Sequence, residues 1–162
     1  EKDYDYIMWI DSDIVFEPFH FDHLLENKKD IVSGMYLMQS GESNYEAPYK
    51  YACIKFDGKI IKKSMNHDID LNKRNLIQVK ANGMGWMLVK KGVFESIDKP
   101  FSFPTTEEIN DKFHKYMFDS KGNLAHIYGE DYIFQMKAFE QGYKSYVDTS
   151  IIVGHEKSFV IR

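Results

Sequence analysis

Tyr6-Ile7-Met8-Trp9-Ile10-Asp11-Ser12-Asp13 is an apolar run of five residues that stops on two carboxylates one residue apart. A short continuous apolar run bounded by polar residues reads as a strand buried on both faces, which predicts a parallel strand inside an α/β sheet. Ligands of open α/β sheets collect outside the carboxyl ends of the strands, and that is where Asp11 and Asp13 stand. Two carboxylates at such a turn can reach one hard cation and the diphosphate it holds. Mg²⁺ or Mn²⁺ keeps positions open for phosphate oxygens, so few protein ligands are needed. Taken alone, the pair fits a solvated turn equally well.

Downstream of this strand the pattern stays α/β. Pro18 opens a short helix with Phe21, Leu24 and Leu25 at i, i+3, i+4, closed by 27–30. Residues 30–38 return as a second strand. Residues 51–56 and 59–62 around Asp57-Gly58 read as a hairpin with a type I′ turn, and 64–74 as a polar loop. Residues 76–81 are a strand, followed by Asn82-Gly83-Met84-Gly85-Trp86 and the apolar run Met87-Leu88-Val89. Residues 91–97 read as a short helix. Thr105 or Thr106 with Glu108 offers a helix start that would carry 109–117. Gly129-Glu130-Asp131 opens the strongest helix, 131–141, with Gly142 as its stop. A last strand over 144–153 leads to Gly154-His155. The whole chain, 1–162, is expected to be one domain.

Composition narrows the function. The 162 residues are 43% hydrophobic and 28% charged, enough apolar material for a real core. Net charge is −4 with both signs interspersed, which argues against nucleic acid as a partner. Cys53 is the single cysteine, so an internal disulfide and a cysteine-based zinc knuckle are excluded. No apolar run approaches the length of a membrane span. Glu1 to Asp5 lead directly into the first strand, as expected of a segment of a longer chain. The cytoplasm, or the cytoplasmic face of a membrane reached through parts outside these residues, is the expected compartment.

The ordered set of strand, Asp11-Ser12-Asp13, Pro-initiated helix, strand ending in Gly34-Met35-Tyr36, Gly83-Met84-Gly85-Trp86, Gly129-Glu130-Asp131, Tyr146-Val147-Asp148 and Gly154-His155 resembles the family 2-like glycosyltransferases of GT-A fold. The resemblance runs from Tyr6 to about Lys157. It implies a mixed α/β sheet with flanking helices, here the carboxyl-terminal portion, and transfer of a sugar from a nucleotide-diphosphate donor to a carbohydrate, lipid-linked or protein acceptor, with inversion. It also implies that the nucleotide's base and ribose are held by a βαβ region upstream, so that these residues alone bind donor poorly.

Residue by residue, the resemblance makes Asp13 the direct metal ligand, Asp11 a ligand of ribose or metal, and His155 the histidine that completes the metal site. An imidazole beside two carboxylates favours Mn²⁺ over Mg²⁺. Gly83 and Gly85 would let backbone approach the donor sugar and acceptor. Trp86 would stack on a sugar face, a core aromatic being its other reading. Asp131 would be the general base, with Glu130 positioning the acceptor, although a lone Glu-Asp pair at a helix start is ordinarily a capping pair. Asp148 is expected to cap the last strand or line the metal region. His20 and His23, at i, i+3 without a third ligand, are read as surface residues.

Two other classes fit part of the pattern. Ile10 to Val15 also satisfies the D-x-D-x-[TV] pattern of haloacid dehalogenase-like phosphohydrolases, with Asp11 as nucleophile and Asp13 as acid/base, but Phe134 and Gln135 stand where that family needs a further acid. A non-catalytic carbohydrate-binding module would keep the fold without turnover. The presence of Asp13, Asp131 and His155 together argues against that loss.

Overall fold

The computed structural model describes residues 3–39, 49–54, 60–62, 76–114, 118 and 129–156. The opening apolar run forms β1 (Tyr6–Ile10), but it pairs antiparallel with a later strand, β9 (Trp86–Lys90), and ends the main sheet. The expectation of a buried parallel strand is therefore corrected. With one neighbour among the described residues, β1 leaves Trp9 41% and Ile10 43% exposed. An apolar run of this length looks the same in sequence whether it ends a sheet or fills its middle.

The chain turns at Asp11, whose carbonyl accepts the Ile14 N–H at 3.1 Å, into the two-residue β2 (Ile14–Val15). Helix α1 (Pro18–Glu26) follows. Proline at its first turn costs no hydrogen bond, and the Glu17 N–H donates to His20 Nδ1 at 3.0 Å, closing the amino end. Strands β3 (Ile31–Met35) and β4 (Leu37–Gln39) come next, then the hairpin β5 (Tyr49–Ile54) and β6 (Ile60–Lys62), whose turn lies outside the described residues. Residues 40–48 and the polar loop expected at 64–74 also lie outside them. The chain continues through β7 (Leu76–Val79), β8 (Ala81–Asn82) and β9.

The short helix expected at 91–97 is a 3₁₀ turn, Phe94–Ser96. The Thr105 hydroxyl accepts the Glu108 N–H and the Glu108 carboxylate accepts the Thr105 N–H, the reciprocal cap expected there. The helix they start, α2 (Thr106–Glu108), passes into a π turn at Ile109–Phe113 that buries Phe113. Residues 115–117 of the expected helix lie outside the described set. Helix α3 (Glu130–Glu140) leads past Gly142, at φ +91°, into β10 (Ser145–Ile152) and the two-residue β11 (Gly154–His155).

The main sheet has the order β1-β9-β3-β10-β7, with β3 and β10 parallel and the other pairs antiparallel. Alternation along β3 and β9 divides the core into two layers. Val32, Trp86 and Leu88 pack on one face with Leu24 of α1, while Ile31, Met87 and Val89 pack on the other with Phe134 and Ala138 of α3. Phe113, Ile133 and Met136 form a third cluster beside α3. A four-stranded sheet of β4, β5, β6 and β8 and the β2/β11 pair complete the strands. The protein is thus mixed α/β, a five-stranded mixed sheet with three helices among the described residues. No described helix is long and apolar enough to cross a membrane.

Candidate functional site

A cleft of about 340 Å³ opens at the carboxyl end of β1, where Asp11, Tyr36, Gly85, Glu130, Asp131 and His155 come together from five segments of the chain. Backbone hydrogen bonds fix most of these positions. The Asp11 N–H donates to the Gly85 carbonyl at 3.0 Å, extending the β1/β9 ladder by one residue. β11 pairs with β2 so that His155 lies opposite Ile14, and the Glu156 N–H donates to the Asp13 carbonyl at 2.8 Å. A Cβ at Gly154 would lie 3.1 Å from Val15 Cβ, so the glycine lets the two strands approach closely. As a result His155 Nε2 stands 3.0 Å from Asp13 Oδ2, across 142 residues of sequence.

Gly85 is the close-approach glycine of the set. A Cβ at this position would lie 3.0 Å from Asp11 Oδ2 and 3.0 Å from both Cζ and the hydroxyl oxygen of Tyr36. Its absence lets the acid and the phenol flank one strip of backbone. The Tyr36 hydroxyl accepts the Gly85 N–H at 3.1 Å, and its ring meets His155 edge-on at 5.4 Å. Burial pushes the Tyr36 phenol up to about 12 despite the Gly85 hydrogen bond, and the charges of Asp131, Asp11 and Asp13 add to the rise. Tyr36 therefore stays a neutral hydroxyl. Sequence reasoning quoted it as the end of a strand motif and gave it no role.

Helix α3 delivers the acid pair. Gly129 is its N-cap, and Glu130 and Asp131 lie in the first turn, where the helix dipole favours anions. Burial nevertheless pushes the Asp131 carboxyl above its ordinary value; the Tyr132 N–H that Oδ1 accepts at 2.8 Å pulls it down, and the charges of Glu130 and Asp11 push it up. Glu130 beside it is exposed.

The helix is held to the glycine loop by Gln135, which is 1% exposed. Its Oε1 accepts the Asn82 N–H at 3.0 Å and its Nε2 donates to the Asn82 and Asp131 carbonyls. An acid here, as the phosphohydrolase reading wants, would lack the amide protons this double contact uses.

Other expected site residues fall elsewhere. Trp86 is fully buried, 4.3 Å centroid to centroid from Phe16, and does not line the cleft. Its sugar-stacking role is corrected to a core role, and its indole N–H finds no partner among the described residues. The reason is parity. Gly85 and Met87 point to the cleft side of β9, so Trp86 between them points to the α1 side. Gly83 is buried and is not among the cleft-lining residues.

Asp148 lies inside β10 rather than capping it, fully buried, and accepts hydrogen bonds from Asn27 Nδ2 at 2.8 Å and from the Ser150 N–H and hydroxyl. It ties the end of α1 to the sheet. Trp9 does line the cleft, with Tyr36 and Phe101, and its ring lies 5.7 Å from that of Phe101. A signal for it was available, because Trp9 precedes Asp11 by two residues and shares its face of the strand.

Asp13 and His155 are paired and Asp11 lies at the same cleft, but no group of three His, Cys, Asp or Glu among the described residues is close enough to hold a metal ion as it stands. The Asp13–His155 pair does fit one. Its 3.0 Å separation equals that of two adjacent donors around an octahedral ion at about 2.1 Å.

Comparison with known proteins defines the fold class. No protein-family model and no curated protein sequence matches the chain. Among solved structures, this mixed α/β arrangement is similar to the crystal structure of A197 from STIV, with a TM-score of 0.52 at 17% identity. The match covers 96% of this chain and 59% of A197, so the chain spans somewhat over half the length of that protein.

Proposed function

We propose that the chain is the metal-binding and acceptor-side part of a GT-A-type glycosyltransferase, which moves a sugar from a nucleotide-diphosphate donor onto an acceptor hydroxyl, with inversion. The observation that carries this reading is the convergence of Asp11, Glu130, Asp131 and His155 on one cleft, with Asp13 bonded to His155 at its edge. These residues come from three distant parts of the sequence, each at the end of a strand or the start of a helix. The order of motifs supports the same reading.

Asp13 and His155 would hold a divalent ion, Mn²⁺ or Mg²⁺, with Asp11 reaching the ion or the donor's ribose. When bound, the ion supplies Lewis-acid neutralisation of charge on the diphosphate leaving group. The chain's own residues supply the rest. Asp131 takes the acceptor's proton, and the burial that raises its proton affinity makes it a stronger base than a solvated carboxylate. Glu130, exposed beside it, receives a hydrogen bond from the acceptor and orients it. Neutral Tyr36 holds the Gly85 amide in place and keeps its own O–H for a ligand oxygen.

The test is Asp131→Asn in the natural full-length protein, assayed with Mn²⁺ and a panel of nucleotide-diphosphate sugars. Turnover should fall by at least about 100-fold with donor affinity nearly unchanged, as expected when a general base is removed. Near-normal turnover by the variant would overturn the assignment.

A further inference from the structure

The cleft combines its acids with an aromatic wall. Trp9 and Asp11 lie two residues apart on extended chain and share a face, and Phe101 approaches Trp9 from the segment after the 3₁₀ turn. Phe101 is itself backed by Phe94 and Phe134, at 5.8 and 5.7 Å, so this wall is anchored in the core. Trp9 keeps 41% of its surface exposed. Glu130 and Asp131 line the same space, with no lysine or arginine among its described lining residues.

We propose that Trp9, supported by Phe101, is the stacking platform for a neutral pyranose ring of the acceptor, so that the acceptor is a saccharide. This rests on the transferase reading and names the substrate class of that site. A pyranose presents an apolar C–H face to an aromatic ring and hydroxyl donors at its edge. The cleft offers the complement of both, a flat ring and carboxylate acceptors along its lining.

A space of about 340 Å³, at the small end of ligand sites, suits one or two rings. Trp9 is also separate from the exposed Ile10, Val15 and Phe16, because Ile10 lies on the opposite face of β1 with Trp86.

The experiment follows the indole N–H resonances of the full-length protein, Trp9 being identified by its loss in Trp9→Phe. The probes are methyl pyranosides of glucose, galactose, mannose and N-acetylglucosamine, added without metal or nucleotide. At least one should shift the Trp9 resonance saturably and leave Trp86 in place. Trp9→Ala should weaken that glycoside about tenfold, and Trp86→Phe should not. If no glycoside moves the Trp9 resonance, if acrylamide cannot reach Trp9 in the full-length protein, or if Trp9→Ala binds as tightly as the wild type, the proposal is overturned.

The two readings fail separately. Sugar binding at Trp9 without transfer from any nucleotide sugar keeps the platform and removes the transferase. Transfer with an unchanged acceptor KM in Trp9→Ala removes the platform alone.

Discussion

Gly34→Ala tests the core beneath the cleft. Gly34 lies on β3, with β9 on one side and β10 on the other. A Cβ added there would stand 2.7 Å from Ile151 Cγ2 and 2.8 Å from Trp86 Cδ1, with the Ile151 carbonyl at 3.1 Å. Ordinary carbon contacts begin near 3.5 Å, so the new methyl is short by about 0.8 Å on one side and about 0.7 Å on the other. Neither neighbour has an outlet, since both side chains are 0% exposed. β10 is also pinned nearby, because the Val153 N–H donates to the Met35 carbonyl at 2.9 Å.

Overpacking of this kind costs about 1–3 kcal/mol, and a methyl squeezed from two sides belongs near the upper end. Removing glycine's freedom from the unfolded chain returns about 0.4–1 kcal/mol. The net expectation is a loss of about 2 kcal/mol, which for a domain of this size lowers Tm by about 4–8 °C. Calorimetry gives the Tm, urea melts give the free energy, and near-UV circular dichroism should register the displaced Trp86. An unchanged or raised Tm would mean that only the unfolded-state term operates and that β3 does not pass under Trp86 and Ile151 at this spacing.

Two further outcomes concern helix α3. Because burial raises the Asp131 carboxyl above its unfolded value, the folded state holds that proton more tightly and stability falls as pH rises from near the ordinary carboxylate value through the raised one. Asp131→Asn removes this penalty while its Oδ1 can still accept the Tyr132 N–H, so its stability relative to the wild type should climb in urea melts as pH rises from near the ordinary carboxylate value. A difference that stays flat or declines as pH rises contradicts the burial of this acid. Gln135→Leu should cost about 2–4 kcal/mol in the same measurement, because it strands the buried N–H and C=O of Asn82 together. A loss below about 1 kcal/mol would show that the helix does not rely on that contact.

Local signals in the sequence placed most elements well. Pro18, the Thr105 to Glu108 cap and Gly142 each carry a stereochemical reason to start or stop a helix, and the structure puts ends at all three. Pairing was not legible in the same way. β2 and β11 are two residues long and have no periodicity to read, yet their pairing brings His155 to Asp13. The position of β1 at the end of the sheet was hidden because an apolar run does not say how many neighbours it has.

Trp86 and Trp9 divide these two cases. Both adjoin the motifs, and choosing between them requires only the period of two along a strand. From Asp11 the count back to Trp9 is even, which keeps its ring with the acid, and this step needs nothing beyond the sequence. From Gly85 the count to Trp86 is odd, but it places Trp86 away from the cleft only once Gly85 is known to face Asp11. That fact comes from the hydrogen bond between Asp11 N–H and the Gly85 carbonyl, a contact between residues 74 positions apart. A side chain's place at a site could be read from sequence where the reference residue lay on the same strand, and it became uncertain where the reference lay across a pairing still to be established.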